Sequence, residues 1–517
     1  MSKTSPSVQS AIAEALGLGY QINPDAMALF RKLDEKRKGR LGEKEPVFES
    51  IVRMVVEHKA KRSTDKTIEP NDLRDIFPDL FAFPSTTSPA QGHTELVQAN
   101  DKADVEILED ASLEVQPTGV EGFSQLFKSR YEKIVKILAE RPEGRQLTKI
   151  SRLNQEKGNV KVAGLVYSKK TAGNGLEFTI DDDTGSVSLL ALSSEAKKGA
   201  GEIALDQCIM VDADIIDRKL IAKNIIQPDI PRRVSSTSKK TAYAVFLSDL
   251  HIGSNKFMDS AFNRFLEWLA GGDGSQSEED EEIIQRLKYV VIGGDIVDGV
   301  GVFPNQEYEL IEQDVFKQYD MVASKLRLIP RNLQIFIIPG NHDATRQALP
   351  QPMIPKKYAP SLYSQDNLKM LGDPCLFKLN GVTILSYHGR SLDDVLATTP
   401  GLSYERPQEA MKVLLRARHL APIFGLRTPI APEIEDHLVI DEVPDIFHAG
   451  HVHTVGVERY KSTLIINSGT WQAQTGYQAN LGISPRPGIV PIVNLATIDI
   501  IWKEFLTSSS LKSRQAA

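Results

Sequence analysis

Between residues 242 and 338 the apolar positions fall in short unbroken runs, YAVFL (243–247), YVVI (289–292) and IFII (335–338). A run that is apolar at every position has no solvent face, so it predicts a strand covered on both sides. Segments with helical spacing, FNRFLEWLA and FKQYDMVASKLRLI, lie between these runs. Strand, helix and strand in that order predict an α/β domain, assigned to 242–517. Residues 146–232 read differently: NVKVAGLVYSKK, GLEFTIDDDTGSVSLLAL and QCIMVDADIIDRKLIAKNIIQ are broken by the turn signals AGNG and DDTG. Several short strands at that spacing predict a small Greek-key barrel of the OB type. Its strands carry only Tyr167 and Phe178 as aromatics, which favours subunit docking over stacking on bases.

Upstream, residues 121–145 place Phe123, Leu126, Phe127, Tyr131, Ile134, Val135 and Leu138 on one side of a connecting helix. Residues 1–78 show a helical stripe of Val47, Phe48, Ile51, Val52, Val55 and Val56, and predict a small helical module with a basic loop, KRKGR, at 36–40. The intervening 79–120, rich in Ser, Thr, Pro and acidic residues, is expected to be a disordered acidic linker. The acidic run DGSQSEEDEE (273–282) is expected to be an exposed loop.

Composition narrows this picture only a little. At 517 residues with 41% apolar and 25% charged positions the chain has room for several domains, and a net charge of −7 neither predicts nor excludes nucleic acid. No run approaches the roughly 18 apolar residues of a membrane span, and MSKTSPSVQS has no signal-peptide core. An intracellular protein without membrane contact is expected. Cys208 and Cys375, far apart in apolar stretches, are expected to be core residues.

Chemistry collects where the strands end. VFLSDLHIG delivers Asp249 and His251, GGDIVDG delivers Asp295, and PGNHDA delivers Asn341, His342 and Asp343. LSYHGR adds His388, and FHAGHVH adds His448, His451 and His453. One Asp-x-His is an ordinary strand-end turn, but five such clusters in order are not explained by capping. In open α/β sheets a crevice lies beyond the carboxyl ends of the strands. Mixed Asp, Asn and His donors without thiolate suit Mn²⁺, Fe²⁺ or Zn²⁺ better than Mg²⁺ or Ca²⁺. There are more donors than one ion needs, which points to a pair sharing a carboxylate, the arrangement that stabilises attacking and leaving oxygens at phosphorus.

In sequence order the elements D-x-H, G-D-x-x-D, G-N-H-D, H and G-H-x-H resemble the calcineurin-like metallophosphoesterases, whose fold is a β-sandwich core flanked by helices. The resemblance implies that Asp249, His251, Asp295 and His453 hold one ion and Asp295, Asn341, His388 and His451 a second, with Asp295 bridging. It places His342 over the scissile phosphate with Asp343 orienting it, and gives Asp298 and His448 no ligand role. The barrel in front, together with RHLAPIFG, TPIAPE, PDIFHAGHVH and NSGTWQAQT, resembles the small subunits of archaeal family-D DNA polymerases. That likeness implies a metal-dependent 3′-to-5′ exodeoxyribonuclease that proofreads primer-template and single-stranded DNA, and the imidazole-rich donor set makes Mn²⁺ its expected metal. Its implied partners are a large polymerising subunit and, through that complex, a sliding clamp. A structural subunit with an idle site is the main alternative. A phosphatase is a weaker one, because GDIVDG lacks the arginine those enzymes carry after the second motif.

Overall fold

The computed structural model describes residues 104–110, 119–272, 277–480 and 482–506, with short fragments at 21–22, 56, 59 and 67–68. The chain separates into two units, 1–100 and 101–517. In the first, Gln21–Ile22 pairs in parallel with Thr67–Ile68. Of the expected helical stripe only Val56 is described, helical and buried; the basic loop and the linker up to residue 103 lie outside the described residues.

The second unit opens with strand β1 (Val105–Asp110) and helix α1 (Gly119–Ala139). Strand β1 departs from the expectation of a disordered linker over 79–120. Its alternating VEILED places Val105 and Ile107 against the core, and it pairs antiparallel with Cys375–Leu379. Three carboxylates among its six residues hid that alternation in the acidic composition around it.

The barrel follows: β2 (Gly158–Ala172), β3 (Gly175–Asp182), β4 (Gly185–Ala191), helix α2 (Ser194–Glu202), β5 (Cys208–Ile216) and β6 (Lys219–Ile226). The strands close in the order β2-β3-β4-β6-β5. The DDTG turn is built by Asp182, whose Oδ1 accepts from the backbone of Thr184 at 2.7 Å and of Gly185 at 3.1 Å. Val162, Phe178, Ile180, Leu189 and Val211 fill the interior. Cys208 and Cys375 are both free and buried.

The largest domain runs through β7 (Tyr243–Leu247), α3 (Asp259–Leu269), α4 (Glu278–Arg286), β8 (Leu287–Gly293), α5 (Val315–Leu326), β9 (Gln334–Ile338) and β10 (Leu368–Met370). It continues through β11 (Cys375–Leu379), β12 (Val382–Ser386), α6 (Leu392–Thr398), α7 (Pro407–Ala417), β13 (Ile446–Ala449), β14 (Val455–Tyr460) and β15 (Thr463–Ser468). Helix α8 (Gly476–Asn480) and strands β16 (Ile489–Asn494) and β17 (Asp499–Glu504) complete it. Part of the acidic run read as a loop is therefore helix: Ser277 caps α4, its side chain accepting from Asp280 N, and four acidic residues occupy the first turn, where the helix dipole favours them.

Two six-stranded sheets stack face to face, β10-β9-β8-β7-β16-β17 and β14-β15-β13-β12-β11-β1. The strand period of two sorts the residues of each run between the two faces. Ala244, Phe246, Val291 and Phe336 meet Phe377, Ile384 and Ile466 between the sheets, and Phe336 stacks on Phe377 at 5.4 Å. On the outer face of the first sheet, Val245, Leu247, Ile292 and Ile337 pack under Phe262, Phe265, Trp268 and Val322 of α3 and α5. Outside the second, Leu385, Phe447 and Ile465 pack under Met411, Leu414 and Leu415 of α7. This double covering explains why every residue of β7 is buried.

Helix α1 joins barrel and sandwich. Tyr131, Ile134 and Leu138 lie against Ala163, Cys208 and Met210 of the barrel, while Leu126 enters the core beside α7. Its Arg130 is fully buried; Nε donates to Asp436 Oδ2 at 2.8 Å and an NH group donates to Pro422 O at 3.0 Å. Burial alone would raise the Asp436 carboxyl, but His419 and Arg130 outweigh it and hold it far below the usual carboxylate range. Removing Arg130 takes a charged donor from the buried Asp436 carboxylate and leaves it to His419 and the Leu438 backbone N–H, both at 3.0 Å, so Arg130→Ala should cost about 3–5 kcal/mol. Because the Asp436 pKa is depressed in the folded state, the wild-type advantage should be complete at neutral pH, begin to fade at the ordinary carboxylate pKa and continue to fall as the pH drops below it toward the depressed value. Urea unfolding of both proteins from neutral to acid pH measures this, and equal midpoints at neutral pH would contradict it.

Candidate metal centre

The centre is made by the loops that leave the strands at one end of the sandwich. Backbone bonds from Asp249 N to Gly294 O and from His251 N to Asp295 O, both 3.0 Å, tie the loops after β7 and β8 side by side. To aim their side chains inward, Asp249, His251, Asp295, His451 and His453 all adopt left-handed backbone, with φ of 54°, 51°, 49°, 71° and 60°. Such a conformation costs a non-glycine residue of order 1–3 kcal/mol, and its clustering in one place marks a functional constraint. Glycines make the close approach feasible: a Cβ on Gly340 would sit 2.2 Å from Asp295 Oδ1, and one on Gly450 would sit 2.3 Å from Asp249 Oδ2.

The donors fall into two groups around Asp295. In one, Asp249, His251 and His453 converge: His453 Nε2 lies 3.3 Å and His251 Nε2 3.8 Å from Asp249 Oδ1, and the two imidazole nitrogens are 3.0 Å apart. Two metal–nitrogen bonds of about 2.1 Å meeting at a right angle place their nitrogens about 3.0 Å apart. Asp249 Oδ1 is buried and has no hydrogen-bond partner, the state expected of an atom whose partner is a cation. In the other group Asp295, His388 and His451 converge, with His388 Nε2 at 3.4 Å from Asp295 Oδ2 and 3.1 Å from Asn341 Oδ1. Asp295 Oδ2 also stands 3.9 Å from His251 Nε2, so the same carboxylate oxygen faces both groups. The oxygen and nitrogen donors fit a pair of divalent ions of the Mn²⁺, Fe²⁺ or Zn²⁺ kind.

Each imidazole is held from behind, which fixes the nitrogen it presents. His388 Nδ1 donates to Gly293 O at 2.8 Å. His251 Nδ1 meets Asp298 Oδ1 at 3.1 Å, and Asp298 is itself held by Gln472 at 2.9 Å and Gln306 at 3.0 Å. His451 Nε2 meets Asp393 Oδ2 at 3.2 Å, while Tyr404 donates to the other Asp393 oxygen at 2.8 Å. His453 Nδ1 lies 2.7 Å from Gln478. Asp298, Asp393, Gln472 and Gln478 are therefore functional neighbours that sequence reasoning missed. Asp298, the second carboxylate of GDIVDG, and Gln472, within NSGTWQAQT, stand in recognisable motifs; Asp393 and Gln478 do not. His251, Asp298 and His342 also stand close enough to hold an ion, but the Asp298 carboxylate there is already bonded to His251 Nδ1, Gln306 and Gln472.

Electrostatics follow from the packing of carboxylates and imidazoles. Burial opposes a charged His251, yet the nearby Asp249 carboxylate, the bond to Asp298 and the charge of Asp295 push it up to about 10. His388 is likewise raised against burial, to about 10, by Asp295 and Asp249. Burial lowers His342 more than Asp295 raises it. Burial would raise Asp393, but His451 and Tyr404 hold it down to about 2.

His342 stands at the edge of the bridge. Its backbone N–H donates to Asp295 Oδ1 at 2.7 Å, its Nδ1 donates to Asp298 O at 2.7 Å, and its Nε2 is 4.0 Å from Asp295 Oδ2. Asp343, to which the resemblance gives the orienting role, makes its bonds to the loop that carries His342 and to a neighbouring helix. Its carboxylate accepts from Gly340 N at 2.9 Å and from Tyr319 at 3.3 Å, so it shapes the loop that carries Asn341 and His342. Burial and the charge of Asp295 push it up to about 7. His448 lies beneath the site between Ser386 and Ser468, held neutral by burial. The donors open on a cleft of about 250 Å³.

Comparison with known proteins now gives the class. Residues 244–455 match the family of B-type subunits of DNA polymerases alpha and epsilon. The DNA polymerase II small subunit of Halobacterium salinarum is 32% identical over 516 residues, 97% of this chain and 99% of that protein. That of Pyrococcus furiosus is 41% identical over 388 residues, 74% of this chain and 63% of its own length, so this chain spans less than two thirds of that relative. Among solved structures an archaeal phosphodiesterase matches 51% of this chain and 99% of its own at 13% identity, with a TM-score of 0.26. The chain belongs to the DNA polymerase II small subunit family of the archaea.

Donors gathered on both sides of one carboxylate make a metal-binding prediction. Titrated with Mn²⁺, the full chain should bind two ions, and Asp295→Ala should lose affinity at both sites. Asp393→Asn should weaken one site by about 10- to 100-fold, the usual effect of removing a carboxylate behind a histidine ligand. Two unaltered sites in either variant, read by equilibrium dialysis, would contradict the assignment.

Proposed function

We propose that this chain is the small, proofreading subunit of a replicative DNA polymerase and carries its 3′-to-5′ exonuclease. The observation that supports this most is the complete donor set around Asp295, five of its members held in left-handed backbone. A subunit that used this surface only for assembly would have no need to maintain such strain. Bound divalent ions would supply a hydroxide nucleophile at neutral pH and neutralise charge on the phosphate and on the departing 3′ oxygen.

The chain's own residues do the rest. Asp249, His251 and His453 would hold one ion, and Asn341, His388 and His451 the other, with Asp295 common to both. The backing of His251, His388 and His451 by Asp298, Gly293 O and Asp393 leaves one ring nitrogen of each for the metal. His342 keeps Nε2 over the cleft because its Nδ1–H donates to Asp298 O. With a second proton on Nε2, which an anionic phosphate would favour, it can donate to a phosphate oxygen or give that proton to the leaving oxygen. The barrel and the sandwich, joined by α1, are proposed to dock a polymerising subunit, and through it a sliding clamp.

Degradation of a labelled single strand and of a mismatched primer by the full chain, with Mn²⁺, Mg²⁺ and chelator compared, tests the activity. Mn²⁺ should support the fastest shortening from the 3′ end and chelator should abolish it; equal rates in chelator would overturn the reading. His342→Ala should keep its bound Mn²⁺ and lose about 10²–10⁴-fold in single-turnover rate. Loss of an ion, or full cleavage with both ions bound, would show that His342 has another role.

A further inference from the structure

The floor of the cleft is polar, but its walls are aromatic. On the His342 side the wall is Phe303, whose ring lies 6.2 Å from the imidazole at 59° and is flanked by the exposed Val300 and Val302. On the side of His451 and His453, backed by Asp393 and Gln478, stand Tyr404 and Tyr477, and Ile483 also lines the cleft. The two tyrosines are not equivalent. Tyr404 commits its hydroxyl to Asp393, whereas Tyr477 is 61% exposed at the start of α8, next to the Gln478 that holds His453. Rings at the mouth of a metal cleft present π-faces to whatever flanks the reacting phosphate.

On the nuclease reading above, what flanks that phosphate is a nucleoside. Every base offers two π-faces, and stacking on aromatic side chains is tolerant of sequence, as proofreading requires. We propose that Phe303 and Tyr477 form a stacking clamp for the 3′-terminal base, seating it so that its phosphate lies over Asp295 and beneath His342. A base held there cannot remain stacked in a duplex. The cost of unpairing is smallest for a mismatched or single-stranded end, so the aromatic walls rather than the metal donors would make the site select frayed termini.

The test compares two single strands, identical except that in one the 3′-terminal nucleotide is abasic, cut by the full chain with Mn²⁺ under single-turnover conditions. The wild type should remove the normal terminus about 5- to 100-fold faster than the abasic one. Phe303→Ala and Tyr477→Ala should lose most of that advantage on the normal strand, cut the abasic strand at the wild-type rate, and retain the wild-type content of Mn²⁺. Phe303→Trp and Tyr477→Phe, which keep a ring, should restore it. Equal wild-type rates on both strands, or variants slowed equally on both, would overturn the clamp while leaving the nuclease intact. Unchanged cleavage with lost binding of a large subunit would assign the rings to a protein contact and overturn it as well. If the wild type cuts neither strand, the nuclease reading itself fails and the clamp falls with it.

Discussion

One buried carboxylate governs the geometry of this molecule's active end. Asp295 accepts from the backbone of His342, lies within 3.4 Å of His388 and 3.9 Å of His251, and presses so closely on Gly340 that no side chain fits there. The surrounding carboxylates raise His251 and His388 well above the usual imidazole range, against the cost of burial. The cleft is therefore arranged around positive charge, and Asp295 is the point at which both groups of donors meet it.

Holding that arrangement requires a rigid frame. Left-handed backbone at Asp249, His251, Asp295, His451 and His453 costs of order 1–3 kcal/mol at each position, and loops alone could not sustain it. The frame is the double sandwich: β7 and β8 are buried on both faces, by the second sheet on one side and by α3 and α5 on the other. Backbone bonds between the loops after β7 and β8 carry that rigidity out to Asp249, His251 and Asp295. Apolar packing far from the chemistry thus offsets strain at the chemistry.

Much of this was legible in the sequence, for a physical reason. Strands buried on both faces leave unbroken apolar runs, so their ends are marked, and the ligand motifs stand at those ends. What escaped notice depends on contacts distant in sequence. Asp393 supports His451 across 58 positions and belongs to no motif. Asp343 sits inside GNHD beside His342 yet turns toward Gly340 and Tyr319, because adjacent side chains in a tight loop diverge. Strand β1 was hidden because composition was read over a forty-residue window while the strand's pattern occupies six residues. The helix within the acidic run escaped for the opposite reason, its charges serving a helix N-terminus and not solvent alone.

The central claim is that Asp295 is shared by two ions, and anomalous diffraction from crystals of the full chain grown with Mn²⁺ measures it directly. Two peaks about 3.5–4 Å apart, one among Asp249, His251 and His453 and the other among Asn341, His388 and His451, with an Asp295 oxygen between them, are predicted. A single peak, or two peaks that do not both contact Asp295, would contradict the account.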